Sequence, residues 1–260
     1  MIYTYDLSTG VSLRVNLSGE GEPIVFIHGL GGNFSFWAGQ VRDLAYRFQV
    51  IRYDLRGHGG SSVSSVQTPQ DHVADLAALL ETLEIDQVRL VGLSMGGVIA
   101  QTFAATYPER VRQLVLVSTT SAFPPKGKEA LAHLAHLAET QGMRAVADAF
   151  APRLFGSVID LKLDDRFQAL AAAFTEQDPA SFAATYRALA LADVTPELSK
   201  IQTETLLVYG ENDRQTPPFF GEALVSKLPN ARMVVVPKLG HVLPIEDPKT
   251  FNRILLEFLR

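Results

Sequence analysis

The chain has 260 residues, 47% of them hydrophobic and 20% charged. That suits one large α/β domain, or such a core with an inserted subdomain, and argues against a disordered chain. A net charge of −5, from 23 basic and 28 acidic residues, argues against nucleic acid and anionic membranes as partners, and the lack of cysteine excludes disulfides, thiolate metal sites and a cysteine nucleophile.

In chain order, short apolar and β-branched runs alternate with helical patterns, the rhythm of an α/β fold with a mostly parallel sheet flanked by helices. The start, Met1-Ile2-Tyr3-Thr4-Tyr5-Asp6, has neither the basic opening nor the apolar stretch of a signal peptide. No run approaches the roughly 18 apolar residues of a membrane span, so a cytoplasmic location is expected. Eight strands are predicted, at 2–6, 12–17, 24–28, 49–54, 88–92, 114–118, 205–209 and 232–237. Several are continuously apolar, as strands buried on both faces should be. Thr68-Pro69-Gln70-Asp71 reads as a capping box with proline in the first turn, opening a helix striped by Val73, Leu76, Ala77, Leu80 and Leu83. A helix after Ser94 runs to Tyr107-Pro108. Between 121 and 200 the strand rhythm stops. The stretch is alanine-rich and helical in pattern, broken at Pro124-Pro125, Gly142, Pro152, Gly156 and Pro179. It is predicted to be an inserted helical cap of three to five short helices, on a core formed by 1–120 and 201–260. The last helix opens at Asp247-Pro248 and presents Phe251, Ile254, Leu255 and Phe258 on one side.

The most informative segment is Gly92-Leu93-Ser94-Met95-Gly96-Gly97, where the fifth predicted strand gives way to a helix. A G-x-S-x-G pattern at such a turn leaves room only for small residues on either side of the serine. The turn lifts the hydroxyl clear of the sheet edge and aims the N–H groups of the helix start at developing negative charge. A serine hydroxyl is a poor nucleophile at neutral pH and needs a base, itself oriented by an acid. Tyr209-Gly210-Glu211-Asn212-Asp213 puts Asp213 in a loop after the seventh strand, and Leu239-Gly240-His241-Val242 puts His241 after the eighth. Ser94, Asp213 and His241 then meet at the carboxyl ends of neighbouring strands, where ligands bind in open α/β sheets. Asp213 is preferred to Glu211 for its distance past the strand. The competing reading is a βα loop whose serine merely caps the helix, with Asp213 bracing a turn and His241 satisfied in its own loop.

His28-Gly29-Leu30-Gly31-Gly32 follows the third strand, and such a loop can turn a backbone N–H into the site. Leu30 is the natural donor, and with Met95 it makes a two-donor oxyanion hole. His28 reads as a loop organiser and His58 as fixing a turn, while His72 is placed on the outer side of its helix without a role. His133 and His136 fall opposite Leu131, Leu134 and Ala138 on a helical wheel, a solvated face and not a metal site. The glycines fit neither a dinucleotide fingerprint nor a P-loop.

These motifs carry a resemblance. His28-Gly29-Leu30-Gly31-Gly32, Phe36-Trp37, Tyr53-Asp54-Leu55-Arg56-Gly57-His58-Gly59, the Ser94 turn, Tyr107-Pro108-Glu109-Arg110-Val111, Gly210-Glu211-Asn212-Asp213 and Gly240-His241 with Glu246-Asp247-Pro248 resemble a serine hydrolase of the α/β-hydrolase superfamily over nearly the whole chain. Within it the sequence is most similar to small carboxylesterases and 3-oxoadipate enol-lactonases. The resemblance implies cleavage of a small-molecule carboxylic ester or lactone by Ser94, His241 and Asp213 through an acyl-enzyme, without metal or other cofactor. Carbon–carbon bond hydrolysis, perhydrolysis or haloperoxidase action on the same triad, and a non-catalytic binding module, are the alternatives. Ser94 speaks against haloalkane dehalogenases and epoxide hydrolases, which carry aspartate there. Leu30-Gly31-Gly32-Asn33 departs from the glycine and proline usual in carbon–carbon hydrolases. A pocket between core and cap is expected, walled by Trp37, Phe123, Met95 and Val242 with Phe150, Phe155, Phe174 and Phe182, and Arg153, Arg166 or Arg187 would meet a substrate carboxylate. Monomer and homo-oligomer are equally compatible with the sequence.

Overall fold

The computed structural model describes residues 1–64, 68–156 and 164–260. Its strands are β1 (Ile2–Asp6), β2 (Ser12–Ser18), β3 (Glu22–Ile27), β4 (Phe48–Tyr53), β5 (Val88–Leu93), β6 (Val111–Val117), β7 (Thr205–Gly210) and β8 (Ala231–Val236). They form one sheet in the order β1-β2-β4-β3-β5-β6-β7-β8, in which β2 is antiparallel to both neighbours and the other pairs are parallel. Each predicted strand is present. Every residue of β5 and β7 is buried, as a continuous apolar run in the middle of a covered parallel sheet requires. The one large edge error is β6, which starts at Val111 because Val111 already pairs with Val88 across a register shift.

The helices are α1 (Ala38–Leu44), α2 (Pro69–Thr82), α3 (Met95–Thr106), α4 (Pro125–Phe150), α5 (Asp165–Thr175), α6 (Pro179–Leu191), α7 (Phe219–Val225), α8 (Leu243–Glu246) and α9 (Pro248–Phe258). Thr68 and Asp71 form the reciprocal capping box of α2. Helix α3 is apolar around most of its circumference, and ten of its twelve residues are buried, which fits its place against the middle of the sheet. It stops at Tyr107, the residue that Pro108 excludes from helical geometry. Helix α9 buries Phe251, Ile254, Leu255 and Phe258, and the Asp247 carboxylate accepts from Thr250 N–H at its start.

Helices α4, α5 and α6 are inserted between β6 and β7. Gly142, at φ 79°, kinks α4. Asp164 and Asp178 cap α5 and α6. The insert has its own aromatic core: Phe150 to Phe174 at 5.8 Å, Phe174 to Phe182 at 6.3 Å and Phe182 to Tyr186 at 4.1 Å between ring centroids. Phe174 also lies on Gly31, where an added Cβ would fall 2.1 Å from the ring. That contact seats the insert directly on the loop after β3. Among the described residues no helix is long and apolar enough to cross a membrane.

One placement differs from the sequence reading. His72 is buried, not on the outside of α2. The loop after β4 folds back over that side of the helix, and the Arg56 guanidinium grips Asp75 through two bonds of 2.6 and 2.7 Å. The His28 and His58 rings lie nearby, tilted to each other by 58° with centroids 5.2 Å apart. Periodicity reports where apolar residues fall and carries no signal for a polar face covered by a polar loop. His133 and His136, in contrast, are exposed on α4.

Candidate active site

Ser94 joins β5 to α3 with φ 54° and ψ −115°, a backbone conformation that costs on the order of 1–3 kcal/mol and persists only where its surroundings enforce it. Here Ser94 N–H donates to the Val117 carbonyl (2.9 Å), and the Thr119 hydroxyl donates to the Ser94 carbonyl (2.7 Å). The flanking glycines are demanded by contact. A Cβ on Gly92 would meet the Gly96 carbonyl oxygen at 2.3 Å, and one on Gly96 would meet the Ile27 carbonyl oxygen at 2.3 Å. Ser94 holds the N-cap position of α3, yet its side chain makes no capping hydrogen bond. The hydroxyl is therefore not consumed by the helix.

Asp213 follows β7 and is 4% exposed. Its Oδ1 accepts from the N–H groups of Gln215 (2.8 Å) and Thr216 (3.0 Å), and its Oδ2 accepts from the Thr216 hydroxyl (2.9 Å). His241 follows β8, and its Nδ1 lies 2.9 Å from Asp213 Oδ2, the imidazole N–H donating to the carboxylate. Burial opposes ionisation of Asp213, but the charge and hydrogen bond of His241, with the Thr216 and Gln215 N–H groups, outweigh it and hold the carboxyl below its ordinary value. Glu211, the rival acid, instead accepts from Lys238 N–H at 3.0 Å. The His241 loop is tied to the insert, since His241 and Val242 N–H groups both donate to the Leu154 carbonyl (2.8 and 3.3 Å).

Ser94 and His241 line the same cavity of about 310 Å³, with Leu30 in its wall. Met95 opens α3, so its N–H has no intrahelical acceptor. Leu30 N–H likewise has no hydrogen-bond partner among the described residues. The α/β-hydrolase fold family model matches residues 22–248.

The chain belongs to the α/β-hydrolase fold family. This hydrolase is 30% identical to 3-oxoadipate enol-lactonase 2 of Acinetobacter baylyi, over 95% of the chain and 93% of that protein. It is 29% identical to a 2-hydroxy-6-oxo-6-phenylhexa-2,4-dienoate hydrolase of Burkholderia cepacia, over 95% of the chain and 91% of that protein. Among solved structures, a thermophilic esterase from Thermogutta terrifontis with malate bound superposes with a TM-score of 0.91 at 29% identity, covering 100% of the chain and 98% of that structure.

The cavity of the hydrolase is walled in part by Phe123, Phe150 and Val242. Trp37 and Phe155, expected beside them, do not line it. Trp37 is wholly buried between Phe26 and Phe251, at 5.0 and 6.1 Å, and its neighbour Phe36 faces the cavity instead. Successive residues of the Phe34–Trp37 3₁₀ turn point about 120° apart, so only one of the pair can face the site. In the same way Leu154 lines the cavity and Phe155 turns to Phe167 at 6.2 Å. The side chains of Met95, Phe174 and Phe182 are not in the lining either.

Of the three arginines expected to meet a substrate carboxylate, Arg166 is held by Asp164 and by the Glu246 carbonyl, and Arg187 grips Glu139 through two bonds of 2.6 Å. Arg153 lines the cavity, as does Arg214, which the sequence reading missed. Neither has a partner among the described residues. Thr216 was missed too, although an acid followed three residues later by threonine is a spacing at which aspartate caps its own turn.

Proposed function

We propose that this α/β hydrolase cleaves a carboxylic ester or lactone through an acyl-enzyme on Ser94. The observation that carries the reading is a serine hydroxyl on a strained turn, unused as a helix cap and open to the cavity that His241 lines, while Asp213 holds the other side of the imidazole. In this reaction His241 Nε2 takes the Ser94 proton as Oγ attacks the carbonyl carbon. Asp213 keeps Nδ1 protonated and steadies the imidazolium, and the N–H groups of Leu30 and Met95 hold the oxyanion. His241 then protonates the leaving oxygen, which departs as an alcohol or, in a lactone, as the freed hydroxyl end of the acyl chain. Water, deprotonated by His241, attacks the acyl-enzyme and releases the acid and Ser94. The chemistry calls on no metal or cofactor, and the helical insert acts as a cap over the site.

The substrate is small, given a cavity of about 310 Å³. Its walls are mainly apolar, with Arg153 and Arg214 exposed at the lining, so we favour a substrate that carries a carboxylate away from the scissile bond. The similarity to an enol-lactonase, and to an esterase that has malate bound, supports this. A second reading, hydrolysis of a carbon–carbon bond, is supported by the similarity to the Burkholderia cepacia hydrolase.

The test is a turnover panel of p-nitrophenyl acetate through octanoate, several lactones including 3-oxoadipate enol-lactone, and a 2-hydroxy-6-oxodienoate, run beside S94A. Ser94→Ala is expected to lower kcat by about 10⁵-fold or more with an unchanged thermal midpoint. Preference for the carboxylate-bearing lactone is the expected outcome. Preference for neutral esters would remove the role of the arginines, and Ser94-dependent turnover of the dienoate alone would replace ester hydrolysis by the second reading.

A further inference from the structure

Glu246 is half-buried at the end of α8, and both of its carboxylate oxygens are engaged by backbone amides from different parts of the fold. Oε1 accepts from Gly240 N–H at 2.7 Å, one residue before His241, and Oε2 accepts from Gly156 N–H at 2.8 Å, in the helical insert. The two glycines are pressed together. A Cβ on Gly240 would fall 2.2 Å from Gly156 N, and one on Gly156 would fall 2.3 Å from Gly240 N. Neighbouring bonds run the same way. The Leu154 carbonyl accepts from His241 N–H at 2.8 Å, and the Asn212 amide donates to the Gly156 carbonyl at 3.0 Å. Arg166 of the insert donates to the Glu246 carbonyl at 2.8 Å.

We propose that Glu246 is a positioning residue whose carboxylate clasps the insert to the histidine loop, so that seating of the cap over the cavity and placement of His241 are a single event. The inference rests on His241 acting as the base. A carboxylate suits the task because both partners are N–H donors. Glutamine would turn an NH₂ donor toward one of them, and aspartate is a methylene too short to reach both. Loss of the clasp displaces the base itself through Gly240, next to His241, so it acts on the reacting geometry more than on substrate binding.

The experiment compares wild type with E246Q, E246D and N212A, using S94A and H241A as references. It reads steady-state ester hydrolysis, amide hydrogen exchange at Gly156 and Gly240, and the downfield proton resonance of His241 Nδ1. In E246Q we expect kcat to fall about tenfold or more, KM to stay within about twofold, exchange at both glycines to rise together, and the His241 resonance to broaden. E246D should fail to restore kcat. N212A, which cuts the neighbouring tie at the surface, should shift the same quantities less. Wild-type kcat with unchanged exchange in E246Q overturns the proposal, and so does a fall in kcat with the His241 resonance intact. Should E246Q not fold, wild-type kcat and exchange in N212A overturn it. Full activity in S94A or H241A would instead remove the hydrolytic reading, and the exchange and resonance data would still decide the clasp.

Discussion

Asp213 shows how much depends on one side chain. Its four accepted hydrogen bonds use both oxygens, and the one from His241 Nδ1 favours the tautomer whose Nε2 carries no proton. Asp213→Asn would offer an NH₂ where an acceptor is needed, favouring the opposite tautomer. We expect kcat to drop on the order of 10⁴-fold with little change in KM, measured on the best ester of the panel. The same carboxyl links to stability. Its folded pKa lies below the ordinary carboxylate value, so its contribution is complete above about pH 4, where an unfolded aspartate is ionised, and is lost as pH falls through the folded value. Ser94 and His241 were legible as residues, since each stands at a strand end in a short glycine-bearing phrase. Thr216 was not, because a hydroxyl that bonds an acid three residues away looks like any threonine in a turn.

At the scale of the element, the turn between β5 and α3 is a device made of close contacts. Sequence alone called for small residues around Ser94, and the fold supplies the reason: backbone oxygens 2.3 Å from where side chains at Gly92 and Gly96 would begin. Gly96→Ala should therefore displace α3 from β3, costing about 1–3 kcal/mol or more, with activity lost beyond what the stability change explains. Urea unfolding beside turnover at a temperature where the variant is folded checks this. An alanine variant with wild-type rate would show that the helix start tolerates displacement. The central strands β5 and β7 were legible because burial on both faces writes itself as an unbroken apolar run. The Phe36-Trp37 pair was legible only as aromatic, since which member faces the cavity is set by the phase of one 3₁₀ turn.

Across the whole molecule, the buried histidines set a pH limit. Burial pushes His28 down to about 4 and His58 to about 3, and holds His72 well below the ordinary histidine value. In the unfolded chain these groups take protons near pH 6.5. The unfolded state therefore binds more protons below that pH, so stability is full above about pH 6.5 and falls as acid is added toward the folded values. Both nitrogens of His72 are buried without a hydrogen-bond partner among the described residues. Replacing it with leucine should leave stability at pH 7 nearly unchanged or higher, and should flatten the loss between pH 6.5 and 4.5. Urea midpoints at the two pH values test this, and an unaltered slope in His72→Leu would remove His72 from the account.

The sequence by itself determined the α/β class, the eight strands, the helical insert and the three side chains at strand ends, because each leaves a local record: an apolar run, a cap, a glycine beside a serine or histidine. Tertiary structure alone decided what those side chains share. The Asp213–His241 bond, the turning of Phe36 and Leu154 into the cavity in place of Trp37 and Phe155, the meeting of Arg153 and Arg214 at that cavity, the burial of His72 under the Arg56 loop, and the grip of Glu246 on two glycines of separate segments all join residues far apart in the chain. Such contacts depend on the angle at which packed elements meet, and periodicity along one strand or helix holds no information about that angle.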